Sequence, residues 1–339
     1  MKRVATSILI PLFFLAACGS GDSTFNGQNG NDQNEPPPIT GLAIDANNAL
    51  DVSSAAYAAA IGSGELADLV GATGLTGLTA TKTGGSSKPL PQARTNSLLG
   101  EIVQKIPLGT DVYDCLVLGS VSVSIDVVDP AVLLAGALSV GDNFLVDYDN
   151  CDDGAGEVID GTIDLTVSAF EGDIIFSGMY DLSMTMVIST LQVTTLTEVL
   201  STSGNATARL NLLQPLCAEA TVSGSSITMD YNSMSDTLID FSSMQAVDAS
   251  ALDQPYTMVT QGTLSTTRLA GPVDYSTPVM FAGLGANYPY TGEFLVVGEN
   301  SSLRLIADND VDVHIDIDSD GDTVVDETIV TTWAELASM

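Results

Sequence analysis

From Asp111 onward, apolar side chains recur at every second position in one segment after another. Val121, Val123, Ile125 and Val127 do so in SVSVSIDVV, Ile163, Leu165 and Val167 in TIDLTVSAF, and Ala208, Leu210 and Leu212 further along. Ile227, Met229 and Tyr231, then Leu303 and Leu305, then Val311, Val313, Ile315 and Ile317 repeat the pattern. The positions between them are mostly Ser, Thr and Asp. Side chains of a strand alternate between faces, so this period of two predicts strands with one buried and one wet face. Gly119, Gly161, Gly204 and Gly224 each precede such a segment, and the first three are 42 and 43 residues apart. That spacing suggests a repeated hairpin unit, with each strand starting after its glycine.

Residues 41–110 follow another rule. The stretch IDANNALDVSSAAYAAAIGSGELADLV, Ile44 to Val70, is rich in alanine and has no proline. Leu50, Ala56, Tyr57, Ala60 and Ile61 fall near helical spacing, which predicts an amphipathic helix over Ala46–Ile61. Side chains from Asp45 to Asn48 are placed to cap it, and Gly62 and Gly64 to stop it, with a second short turn around Glu65–Val70. Thr73–Pro91 holds Gly, Thr, Ser and Pro without apolar period and reads as a long exposed loop. The expected architecture is mainly β: a large curved antiparallel sheet or incomplete barrel over 111–339, with the Ala-rich helix packed on it. A β-sandwich is the alternative. A transmembrane barrel conflicts with the Ser, Thr and Asp faces, because lipid-facing positions must be apolar.

The amino terminus supplies an address. Lys2 and Arg3 precede a short apolar run, Val4–Leu15, which ends in Leu15-Ala16-Ala17-Cys18. The run is too short to span a bilayer as a helix. It resembles the lipobox of bacterial lipoproteins, which implies removal of residues 1–17 and acylation of Cys18. Two or more acyl chains hold a protein stably at a membrane without any spanning segment. Gly19 follows the cysteine, and in the lipoproteins it resembles the lack of Asp there implies outer-membrane delivery. Within residues 18–40, Gly19–Pro38 is polar, rich in Gly, Asn and Gln, and closes with three prolines, so the segment reads as a disordered tether.

Nine Lys and Arg stand against 43 Asp and Glu, a net charge of −34. Such a field repels nucleic acid and anionic lipid, so nucleic acid is excluded as a partner. Lys82, Lys88, Arg94 and Lys105 form the one basic stretch, which leaves a solvated loop or a contact surface for something acidic as its two readings. Apolar residues make up 45% of the chain, enough to build a core.

With Cys18 acylated, Cys115, Cys151 and Cys217 remain, an odd number in an oxidising compartment. Cys115 precedes one alternating run and Cys151 ends another, so the expected disulfide is Cys115–Cys151. Cys217 is expected as a buried free thiol.

The strongest chemical motif is DIDSDGDTVVDE, Asp316 to Glu327. It fits D-x-D-x-D-G-x5-E, which nominates Asp316, Asp318, Asp320 and Glu327 as carboxylate ligands of calcium and Asp322 as a ligand through its carbonyl oxygen, with Gly321 at the bend. The flanks VDVHIDI and TVVDETIVTTW are β-branched, so the expected setting is a strand-loop-strand hairpin rather than a helix pair. The alternative is an acidic turn whose carboxylates face water. The carboxy-terminal fifty residues, with Ser302–Leu305 (SLRL), the aspartate loop and Thr331–Leu336 (TTWAEL), resemble the end of uncharacterised lipoproteins of Gram-negative bacteria. That resemblance implies no known activity.

The single histidine, His314, is expected on the wet face beside Asp312 and Asp316. One histidine does not make a histidine-rich zinc site, and no nucleophile elbow, S-x-x-K, H-E-x-x-H or P-loop occurs. The expectation is therefore a non-enzymatic, outer-membrane, lipid-anchored envelope protein with a structural or interaction role. The alternative is a carrier of an apolar ligand or lipid between sheet and helix.

Overall fold

A computed structural model describes residues 41–72 and 109–338, apart from loop positions 153, 155, 156, 175, 197, 215, 233, 249, 252 and 286. Cys18, the tether, the Thr73–Pro91 loop and the basic residues Lys82, Lys88, Arg94 and Lys105 lie outside the described residues.

After helix α1 (Ala49–Ala72), fourteen strands follow in sequence. They are β1 (Gly109–Asp114), β2 (Leu118–Asp126), β3 (Asn143–Asp152), β4 (Val158–Asp173), β5 (Met179–Thr194), β6 (Val199–Asn211) and β7 (Cys217–Tyr231). The second half comprises β8 (Met234–Asp248), β9 (Pro255–Thr266), β10 (Val273–Leu284), β11 (Thr291–Gly298), β12 (Ser301–Ala307), β13 (Asp312–Asp318) and β14 (Glu327–Thr332). Two short helices, α2 (Pro130–Leu134) and α3 (Trp333–Leu336), complete the described elements. Every strand pairs antiparallel with its sequence neighbours in one fourteen-stranded open sheet that runs from β1 to β14. The expected single antiparallel sheet is thus correct, and the β-sandwich is not formed.

One face of each strand carries the core. Val121, Val123, Ile125, Ile163, Leu165, Val167, Ala208, Leu210, Ile227, Met229, Leu303, Leu305, Val313, Ile315 and Ile317 are all buried, as their period requires. Val311 departs from it: it lies in the turn before β13 and is exposed.

The helix differs from expectation in length and in burial. It continues through Gly62 and Gly64 as one 24-residue element. A glycine inside a helix costs only about 1 kcal/mol relative to alanine, which tertiary packing outweighs. At Gly62 the nearest atom to an added Cβ is Cε of Met229 on β7, at 3.9 Å, an ordinary contact distance, so the helix packs on the sheet at this position. Between Ala49 and Ser63 the helix is enclosed almost all round, with only Asp51 and Ala58 exposed. A helix buried on all sides lies within a core rather than on its surface. It touches β6 to β9, β11, β12 and α3, so the sheet wraps around it. The expected cap is present: Asp45 Oδ1 accepts the backbone N–H of Asn47 at 2.8 Å, and Asn48 Oδ1 accepts that of Asp45 at 2.9 Å.

Curvature comes from the glycines. They do not start strands, as the sequence suggested, but lie inside β2, β4, β6 and β7. Gly119, Gly161 and Gly204 sit on alternate strands, so their spacing is the length of one hairpin. Gly161 has φ +122°, and a Cβ there would meet the carbonyl oxygen of Thr190 at 1.7 Å. Register shifts flank the same line, between Tyr148 and Cys151, Thr162 and Ile163, Ile188 and Leu191, and Asn205 and Thr207. Bulges and glycine kinks bend a sheet, and here they recur strand after strand. Aromatic partners cover several of the bare positions: Tyr148 lies opposite Gly161, Phe241 opposite Gly224 and Tyr275 opposite Gly262.

Candidate functional site

The acidic motif forms the turn of the last hairpin. β13 and β14 pair with Ile317 opposite Glu327 and Asp316 opposite Thr328, so the loop is strand-loop-strand as its flanks require. Asp318 ends β13 and is buried, accepting the backbone N–H of Gly321 at 2.7 Å on Oδ1 and of Thr323 at 2.9 Å on Oδ2. Gly321 takes φ +79°, the left-handed conformation that the bend needs. At the far end of the loop, Asp326 Oδ2 accepts both the backbone N–H of Ser319 at 2.9 Å and its hydroxyl at 2.5 Å. These two bonds, the hydroxyl first, hold the Asp326 carboxyl below its ordinary range.

Among the described residues, Asp318, Asp320 and Asp326 each bring one carboxylate oxygen within 4.8 Å of the others. The four carboxylates nominated by the motif are not all brought together. Asp318 and Asp320 meet, whereas Asp316 lies on the outer face of β13 and accepts the Thr328 hydroxyl at 2.6 Å. The Asp322 side chain, whose backbone carbonyl was the expected ligand, accepts the backbone N–H of Val324 at 2.8 Å, and Glu327 is exposed at the start of β14. Asp326 was not nominated. The motif template puts its closing acid one residue later, where a helix would carry it inward; in a hairpin, the ladder holds Glu327 opposite Ile317 instead.

His314 is on the outer face as expected, between two carboxylates. Its Nδ1 is 2.9 Å from both oxygens of Asp308, and its Nε2 is 4.0 Å from Asp316 Oδ2. Asp312, exposed at the start of the same strand, accepts from the Asn309 side chain at 3.1 Å. The three arginines of the sheet are each paired with a carboxylate: Arg209 with Asp181, Arg268 with Asp236 and Arg304 with Glu293.

Cys115 and Cys151 form the expected disulfide, with Cα atoms 5.5 Å apart. It closes the β1–β2 turn onto β3. Cys217 corrects the expectation of a buried free thiol: it is half-buried at the start of β7 and disulfide-bonded.

The interior holds a second candidate. Tyr57 of α1 packs on Trp333 at 4.9 Å between ring centroids, on Phe281 at 6.0 Å and on Phe294 at 6.2 Å, and Tyr288 stacks on Trp333 at 5.8 Å. Trp333 is fully buried, as an anchor should be, and donates its ring N–H to the carbonyl of Asn309 at 3.1 Å. Further along, Ser243 and Thr260 sit opposite each other on β8 and β9, and Tyr275 follows on β10. Their hydroxyls are buried and make no hydrogen bond among the described residues. Burial pushes the Tyr275 phenol up to about 12, an effect that the nearby Thr260 and Ser63 hydroxyls oppose without reaching hydrogen-bonding geometry. Buried polar groups are nearly always paired, so three unpaired hydroxyls in one region need a reason.

No protein-family model, no curated protein and no solved structure matches the chain.

Proposed function

We propose that this is a lipid-anchored, non-enzymatic protein of the bacterial envelope whose curved sheet serves a structural or interaction role. The observation that carries the reading is Leu15-Ala16-Ala17-Cys18 behind a basic start and a short apolar run. It is supported by the interior around α1, which is filled by Tyr57, Phe281, Phe294 and Trp333. A scaffold closes its core in this way. Calcium bracing of the last hairpin belongs to the same reading: Asp318, Asp320 and Asp326 offer hard oxygens close enough to share one cation.

A carrier is the second reading, favoured by the unpaired hydroxyls of Ser243, Thr260 and Tyr275. They would receive the polar head of an otherwise apolar guest.

Native mass spectrometry of the protein purified from envelopes tests both readings. The anchored scaffold predicts a chain starting at Cys18 with acyl mass and no co-purifying lipid; a calcium adduct lost in chelator belongs to the same reading. A co-purifying lipid would establish the carrier instead. The Cys18 sulfur can carry an acylated thioether or a disulfide but not both, so a Cys18–Cys217 disulfide peptide would remove the anchor.

A further inference from the structure

The antiparallel order puts alternate turns at opposite ends of the strands. One rim therefore carries the turns β1–β2, β3–β4, β5–β6, β7–β8, β9–β10, β11–β12 and β13–β14. The described chain begins on this rim. A Cβ on Gly41 would lie 3.2 Å from the backbone nitrogen of Glu299 and 3.4 Å from the carbonyl oxygen of Pro272, and Glu299 donates its N–H to Leu42 at 2.9 Å. The acidic loop is next to it, since a Cβ on Gly321 would be 2.9 Å from the carbonyl oxygen of Asn300.

The same rim displays apolar tips that are exposed among the described residues. Val324 and Val325 are 61% and 49% exposed beside the point where the chain leaves, and Leu196 in the β5–β6 turn is 100% exposed. Leu116 and Val117 in the β1–β2 turn, which the Cys115–Cys151 disulfide pins down, and Leu118 at the start of β2 are between 62% and 72% exposed. We propose that this rim rests on the lipid bilayer, with these side chains dipping into the head-group and upper acyl region. The inference depends on acylation of Cys18.

The point at which the chain leaves favours one rim over the other. For the 23 residues from Cys18 to Thr40, read from their composition as a tether, chain statistics give an r.m.s. span of about 25–30 Å. At the exit, β11 and β12 have eight and seven residues and separate the rims by roughly 25 Å, so the rim from which the chain leaves is the nearer one to the tether. The opposite rim also exposes apolar residues, Phe176, Leu134, Val128 and Val140, but the chain does not leave from there. Charge selects the lipid: a net charge of −34 disfavours anionic head groups, so the surface that fits is zwitterionic. Since the acyl chains already supply anchoring, the rim contact orients the sheet on the membrane.

Tryptophan depth measurements test this. Val325→Trp, Leu196→Trp and Phe176→Trp variants of the full-length acylated protein are reconstituted into phosphatidylcholine vesicles, with and without bromine on the acyl chains. Trp333 is buried near the opposite rim and gives a constant background. The expected result is loss of most of the added emission for Val325→Trp and Leu196→Trp in brominated vesicles, and none for Phe176→Trp. Acyl mass at Cys18 and co-flotation with vesicles, but unquenched Val325→Trp and Leu196→Trp, would overturn the rim contact and leave the anchor standing. Quenching of Phe176→Trp alone would overturn the orientation. Absence of acyl mass would overturn the anchor and the rim contact together.

Discussion

Ser54, on the second turn of α1, donates its hydroxyl to the carbonyl oxygen of Leu336 at 2.7 Å, joining positions 282 residues apart. The carbonyl belongs to the last turn of α3, where a helix has no partner of its own to offer. The serine thus closes the end of the chain onto the central helix, beside Tyr57 and Trp333.

Loss of this bond leaves a buried acceptor unpaired, so Ser54→Ala should cost about 1–3 kcal/mol in urea unfolding. Trp333→Ala removes the anchor itself and should cost about 3–5 kcal/mol. The double variant should lose less than the sum, because both changes release the same short helix. Full additivity would show that the two contacts are energetically separate.

The glycine line makes a different demand. Gly161→Ala drives a Cβ into the Thr190 carbonyl at 1.7 Å and should abolish folding or force a new register. Gly178, with φ +66° and nothing within 4 Å, provides the contrast. Its replacement by alanine should cost only the left-handed penalty, about 1–2 kcal/mol. Comparable thermal shifts for both variants would mean that conformational preference, not close approach of β5, explains the glycine at 161.

These examples show how far the residues alone could be read. Alternation from Val121 to Ile317 revealed the strands and their buried face, because period two is a local property of the backbone. Whether a glycine starts a strand or kinks one depends on what lies across the ladder. Gly161 announces nothing about Thr190, and its role emerged only with the partner strand in place. The helix shows the same limit: Gly62 looks like a stop until Met229 is found beneath it. In the acidic loop, carboxylate spacing located the turn, but which acids converge depends on hairpin register, and that selected Asp326 over Asp316 and Glu327.

The pH dependence of α3 follows from its capping box. Glu335 accepts the Thr331 hydroxyl at 2.8 Å and the Thr332 backbone N–H at 3.2 Å, while Thr332 Oγ1 accepts the Glu335 N–H at 3.2 Å. These bonds, Thr331 first, hold the Glu335 carboxyl below its ordinary value. A carboxyl lowered by folding adds stability above its unfolded pKa, and that contribution is lost as pH falls through the lowered folded value. Carbon-detected NMR titration should show Glu335 titrating below an unperturbed glutamate, with amide protection in α3 falling over the same range. Thr331→Val should move the titration upward; an unchanged curve would show that the hydroxyl does not set it.

Calcium separates the ligand set expected from the motif from the set that the hairpin assembles. For a site of weak extracellular type, with Kd of about 10⁻⁴ to 10⁻³ M, roughly 10 mM calcium should stabilise the fold by about 1.4–2.7 kcal/mol through mass action. Asp318→Asn and Asp326→Asn each remove one of three converging charges and should abolish most of that gain. Asp316→Asn should leave it nearly intact, since that carboxylate is on the outer face with Thr328. Differential scanning calorimetry with calcium and then with chelator measures all four proteins. Equal loss in Asp316→Asn would mean that the loop rearranges around the ion toward the motif's own ligand set. A wild-type melt indifferent to calcium would leave the Asp318 bonds to Gly321 and Thr323 as the whole purpose of the turn.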